Sequence, residues 1–166
     1  MKDITTYCAK SDIKPVLTKV YVHTKNDEKF AVATDAFRLI EWKITDDFLI
    51  EYIHDGFYDA KKWKEMCNAY NKKSKDLVTF ANTIKENAVV NENFKEDFPN
   101  YEQLIPGETK SFDGTMIFNL QYLKEFLDLI PLNKFQSVDF LFIKQTDRMI
   151  IYKDDNIVNI LMAQNR

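Results

Sequence analysis

Glycine is scarce in this chain: Gly56, Gly107 and Gly114 are the only three in 166 residues. A loop that cradles phosphate must bring several backbone amides onto one anion, which takes closely spaced glycines, so nucleotide binding of that kind is excluded. Cysteine is scarcer still. Cys8 and Cys67 lie far apart with no second Cys or His at ligand spacing, which supports neither a disulfide framework nor a zinc site and leaves reduced, partly buried thiols as the expectation. The two histidines, His23 and His54, fall on different predicted elements, with no recognisable Ser or Cys nucleophile signature and no HExxH spacing. No catalytic residue, cofactor or metal is therefore expected, and the acidic pairs at Asp46–Asp47 and Asp154–Asp155 read as solvated turns. Long apolar runs are missing too. Nothing approaches the roughly 20 residues needed to cross a bilayer, and the opening MKDITTYCAKSD lacks the apolar stretch of a secretory signal, so a cytoplasmic protein without a membrane partner is expected. Nor does one sign of charge dominate. The net charge is -3 although 30% of residues are charged, so any attraction to a polyanion must come from local clusters.

What is present is a folded-protein composition, with 45% hydrophobic residues, and a repeating order of elements. The alternating VLTKVYVHT (Val16 to Thr24), then FAVAT and FRLIEWKI, predict strands joined by polar turns, with no helix of useful length. FLIEYIHDGF opens a second block that passes into DAKKWKEMCNAYNKK, where Ala60, Trp63, Cys67 and Tyr70 recur at helical spacing and Asp59 can cap the first turn. DLVTFAN and NAVVNENF are strand candidates, followed by the proline-bracketed FPNYEQLIP and the loop GETKSFDG. A third block, TMIFNLQYLKEFLDLIPLN, predicts a short strand, an Asn119 cap and a helix burying Leu120, Leu123, Phe126, Leu127 and Ile130 before Pro131 stops it. SVDFLFIKQ, RMIIYKDD and IVNILMAQ then predict three strands. The pattern points to an α+β architecture with antiparallel sheets.

Five short motifs in order carry a family resemblance. ATDAFRL, FPNYEQLIP, FNLQYLKEFLDLI, the terminal NILMAQNR and the strand KPVLTKVYV resemble, in sequence and in position, motifs of bacterial sliding clamps, the DNA polymerase III beta subunits. The resemblance covers most of residues 12 to 166 and is to an abridged or phage-type clamp. It implies a DNA-clamp-like fold with one helix per strand-helix-strands unit and about one and a half clamp domains. Residues 1–106 resemble the clamp middle domain without its first helix, and 107–166 the C-terminal half of the last domain.

The resemblance further implies a non-enzymatic replication protein, a processivity factor that binds partner peptides in a hydrophobic groove and tethers them to duplex DNA. Carried over residue by residue, the groove is Leu17, Thr34, Phe37, Arg38, Leu39, Pro99, Gln103, Leu104, Tyr122, Ile160, Leu161 and Met162. Leu17, Leu39, Ile160 and Leu161 also read as ordinary core strand residues, and Arg38 as a plain ion pair with Asp35 or Glu41. The family's Gly-His is replaced here by Ala36-Phe37, so peptide preference is expected to differ. Weak DNA contact, without base reading, is expected from Lys61, Lys64 and Lys72 on one helix face, with Lys62, Lys73 and Lys75 nearby; a solvated face is the alternative. Lys124, offset by Glu125 and Asp128, offers DNA little. The expected partners are thus a DNA polymerase or other replication and repair proteins, and duplex DNA, with self-association into a ring left open. The contrasting expectation is a peptide-binding regulator or decoy that never encircles DNA.

Overall fold

The computed structural model describes residues 1–11, 14–71, 84, 97–105, 117–130, 141–142 and 149–163. Its strands are β1 (Lys19–Lys25), β2 (Glu28–Thr34), β3 (Arg38–Ile44), β4 (Gly56–Asp59), β5 (Leu141–Phe142), β6 (Met149–Lys153) and β7 (Ile157–Met162). They form one antiparallel sheet in the order β4-β1-β2-β3-β7-β6-β5. Strands from residues 1–106 and 107–166 meet where β3 pairs with β7, Leu39 opposite Ile160. Among the described residues the sheet is accompanied by the helices α1 (Asp47–Tyr52), α2 (Ala60–Asn71) and α3 (Leu120–Asp128).

Local chemistry sets these boundaries. Asn26 and Asp27, at φ 50° and 62°, make the two-residue left-handed turn that suits the twist of a β-hairpin, and Lys25 faces Glu28 across it. Pro15 fixes a short 3-10 turn over Pro15–Thr18, so β1 begins at Lys19 and not at Val16 as the alternation predicts. FLIEY is helix, capped by Asp46, which accepts from the Leu49 amide at 3.1 Å. The predicted caps hold elsewhere: Asp59 accepts from the Lys61 amide at 2.9 Å, and Asn119 from the amides of Gln121 and Tyr122. The strand candidates DLVTFAN and NAVVNENF, like the loop GETKSFDG, lie outside the described residues.

The period-two alternation of the strands splits the buried side chains into two layers. One face of the sheet carries Val20, Val22, Ala31, Ala33, Ile40, Ile44 and Ile157 against Trp63, Met66 and Cys67 of α2, and Ile150 and Leu161 against Phe126 and Ile130 at α3. The amino-terminal segment lies in the first of these layers, contributing Ile4, Tyr7 and Cys8 to its core. Trp63 is fully buried and its indole N–H donates to the Lys2 carbonyl at 3.1 Å, which relieves the polar cost of placing it there. The opposite face carries Val32, Leu39, Met149, Ile151, Val158 and Ile160 beneath Tyr101, with Phe98 and Ile105 at the margin. Leu120 departs from its expected burial: it is 82% exposed on the first turn of α3, while Phe126 takes the buried position.

Candidate functional site

The β2–β3 turn is built by the side chains of its own motif. Thr34 Oγ1 donates to the Arg38 carbonyl at 2.7 Å and accepts from the Ala36 amide at 3.1 Å, while Asp35 Oδ1 accepts from the amides of Phe37 and Arg38. Ala36 is held at φ 74°, a left-handed conformation that a Cβ makes costly. The result of this tight turn is that Phe37 is displayed to solvent, 61% exposed, with its carbonyl accepting from the Met162 amide at 2.9 Å. Met162 is itself 39% exposed, so two large apolar side chains stand on adjoining strand ends.

Arg38 turns the other way and is buried. Its Nε donates to Asp35 at 3.0 Å, one terminal nitrogen binds Glu125 of α3, and the other donates to the Thr6 carbonyl at 2.5 Å. The guanidinium carbon lies 4.0 Å from the centre of the Tyr122 ring and 4.7 Å from that of Tyr7. Burial alone would depress the arginine and raise the glutamate. The hydrogen bonds and charges of the box outweigh it, holding Glu125 below the ordinary carboxylate range and pushing Arg38 further up. Of the two partners the sequence suggests for Arg38, Asp35 is found and Glu41 is not, since a residue three positions along a strand points to the opposite face. Beneath the box, the Tyr7 hydroxyl donates to Asn159 at 2.7 Å and the Asn159 amide donates to the Phe126 carbonyl at 3.0 Å. Burial raises the Tyr7 phenol, which keeps it a donor. A cleft of about 340 Å³ opens at this box, walled by Asp35, Phe37, Arg38, Gln121, Tyr122 and Glu125 together with Thr6 and residues 8–11.

On the other face, residues 98–105 are strapped to the sheet. The Tyr101 hydroxyl donates to Glu41 at 2.6 Å, which uses its only proton, so His23 Nε2, 2.6 Å away, donates to the Tyr101 oxygen. Burial lowers the His23 pKa, countered in part by Glu41 and Asp55. Phe98 stacks on Tyr21 at 4.9 Å and Tyr21 on His23 at 5.2 Å.

The register places the twelve groove candidates. Thr34, Leu39 and Ile160 form one row across β2, β3 and β7 on the strapped face, with Met162 next along β7. Pro99, Gln103 and Leu104 are exposed on the strap itself. Arg38, Leu161 and Tyr122 belong to the helix face, and Phe37 stands at the strand end between the two. Leu17, Leu39, Ile160 and Leu161 are 6%, 2%, 2% and 0% exposed, so their side chains are used in packing. The exposed apolar candidates are Phe37, Leu104 and Met162. Tyr7, Glu125 and Asn159 complete the box unannounced by any sequence signal, because their contacts with Arg38 and one another arise only when α3 and the amino terminus meet β3 and β7.

Of the lysines, Lys61 and Lys64 are exposed on α2 and Lys62 is half-buried; Lys72, Lys73 and Lys75 lie outside the described residues. Lys124 pairs with Asp128 one turn along α3. Both cysteines are buried, and burial pushes each thiol to about 12. Among the described residues there is no cluster of His, Cys, Asp or Glu that could hold a metal ion, and no helix long and apolar enough to cross a membrane.

With this geometry in hand, the chain can be set beside solved structures. It is similar to the DNA polymerase III beta subunit of Thermotoga maritima, with a TM-score of 0.59 and 13% identity, over 99% of this chain and 62% of that one. The fold is that of a sliding clamp. The chain thus spans 62% of the length of the Thermotoga subunit. It also aligns with the sliding clamp of Bacillus subtilis (TM-score 0.31, 13% identity, 99% of this chain and 26% of that one) and the beta subunit of Streptococcus pyogenes (0.30, 13%, 99% and 27%), scores too low to add weight. No protein-family model matches the sequence, and no curated protein matches it.

Proposed function

We propose that this protein is a non-enzymatic, sliding-clamp-like component of DNA replication that takes short peptides of partner proteins at the ends of β3 and β7 and tethers those partners to duplex DNA. The observation that carries this reading is the pairing of Phe37 and Met162: two large apolar side chains held in solvent on adjacent strand ends by a hydrogen-bonded turn, where burial would otherwise be favoured. They stand at the end of the Thr34–Leu39–Ile160 row. Such an arrangement suits an extended peptide with Leu or Phe anchors, and Met162 adapts to more than one of them. A cytoplasmic setting and a phage or mobile-element origin accompany the reading as proposals. The division at residues 106 and 107 into a middle-domain part and a half-domain is proposed on the same footing.

The test is titration with a labelled peptide bearing Leu and Phe anchors. Met162→Asp and Phe37→Asp are expected to weaken binding at least tenfold, a loss of about 1.4 kcal/mol, while the thermal midpoint stays unchanged. Equal binding by parent and variants removes the assignment. Charges at Leu39 or Leu161 would test the core instead, since both are buried.

The decoy reading, in which no DNA is encircled, draws on one observation: Lys124 on α3 is already paired with Asp128, leaving Lys61 and Lys64 as the exposed lysines on the described part of the helix layer. Light scattering with and without nicked circular DNA separates the two. Clamp action predicts retention on the circle, lost on Lys61→Glu with Lys64→Glu and weakened steeply by salt; a monomer indifferent to DNA selects the decoy.

A further inference from the structure

The Arg38 guanidinium joins three parts of the chain that are remote in sequence: the β2–β3 turn through Asp35, α3 through Glu125, and the amino-terminal segment through the Thr6 carbonyl. It lies between the rings of Tyr7 and Tyr122, and only 3% of its side chain meets solvent. Each of its three nitrogens already has an acceptor. Arg38 borders the cleft beside Phe37, but its guanidinium is committed to acceptors within the chain and shows little surface to it.

We infer that Arg38 is a positioning residue of the partner site and not a contact for the partner, with Glu125 as its counterpart on α3. The inference rests on the peptide-binding reading given above. Tyr122 lines the cleft beside Phe37, and a cation held against the ring fixes where that wall stands relative to the turn. The Arg38 amide and Nε both bind Asp35, whose carboxylate also accepts from the Phe37 amide, so the same residue sets the turn that displays Phe37. Groups locked in this way present a ready-made surface, which lowers the ordering cost of binding.

The two roles for Arg38 predict opposite signs for one substitution. Were Arg38 to recognise a carboxylate on the partner, Glu125 would be its competitor, and Glu125→Gln would free the guanidinium and strengthen binding of an acidic peptide. Positioning predicts that Glu125→Gln loosens Tyr122 and weakens binding, acidic and neutral peptides alike.

The experiment titrates the whole chain with two fluorescein-labelled synthetic peptides, one of alternating serine and leucine ending in phenylalanine, the other with one serine replaced by aspartate. Expected is a loss of roughly three- to tenfold for both peptides, the scale of one ordinary hydrogen bond. Arg38→Lys, which keeps the charge and loses the fork, is expected to weaken both peptides likewise, and serves if Glu125→Gln does not fold. Tighter or unchanged binding of the acidic peptide by Glu125→Gln, or unchanged binding of the neutral peptide by Arg38→Lys where that variant stands in for it, overturns this inference while leaving the peptide reading intact. Absence of binding by the parent protein overturns that reading and this inference with it.

Discussion

Replacing Arg38 by methionine keeps most of the stem volume and removes the charge from a box where the guanidinium side chain is 3% exposed, Asp35 10% and Glu125 20%. Breaking a fully buried ion pair costs about 3–5 kcal/mol, because the surviving charge stays desolvated. Here two carboxylates lose their cation but keep some water, and the Thr6 carbonyl loses its donor, which brings the expected loss to about 2–4 kcal/mol. Urea unfolding near neutral pH measures it. The pH dependence supplies a second check with a definite sign. Glu125 has a folded pKa held below its ordinary 4.5, so its contribution is present above that value and is lost as pH falls through the folded pKa. The stability gap between parent and Arg38→Met should therefore be constant above about pH 5 and shrink below it as Glu125 is protonated in both proteins. A loss under 1 kcal/mol near neutrality, or a gap that widens on acidification, would refute the account of the box.

Two further substitutions test its surroundings. Tyr7→Phe leaves the buried Asn159 oxygen without its donor and is expected to cost about 1–3 kcal/mol in the same urea assay; a neutral result would mean that the hydroxyl is not part of the core network. Ala36→Gly relieves a left-handed φ of 74° and should stabilise by roughly 0.5–1 kcal/mol after the entropy of the glycine is counted, with no loss of peptide affinity. Destabilisation by Ala36→Gly would show that the methyl group packs against something more valuable than the strain it introduces.

Much of the fold was legible because it follows local rules. The helix at Ala60–Asn71, the Asn119 cap and the strands around Met149–Lys153 and Ile157–Met162 come from periodicity and capping that act within a few residues. FLIEY carries no clear signal, because a short apolar run fits strand and helix alike, and the Asp46 cap decides for helix. The candidate site was legible only in part. ATDAFRL marked the turn, but which of its neighbours stay exposed depends on what lands on each face. Leu39 and Ile160 are covered by the strap carrying Tyr101, and Leu161 by Phe126, events separated by tens of residues in the chain. The partner that Arg38 finds on α3 illustrates the same limit: Glu125 reads in the sequence as an acid offsetting Lys124, and nothing local reveals that it faces an arginine 87 positions away.

The division of the groove candidates between two faces has a mechanical consequence. Leu39 and Arg38 are neighbours in sequence and opposite in direction, so a peptide laid along one face of the sheet cannot meet both. Phe37, at the strand end, is reached from either side, and the carbonyl bond to the Met162 amide fixes its distance from the end of β7. A ligand engaging both the strapped face and the cleft must therefore bend over this end, crossing Phe37 as it does so. On the proposed peptide-binding reading, the exposed aromatic of the turn is the point that joins both halves of the site. Phe37→Ala should accordingly weaken long peptides more than short ones confined to the strapped face. Were both lengths to lose affinity equally in a titration series, the two faces would be separate surfaces and no common site would join them.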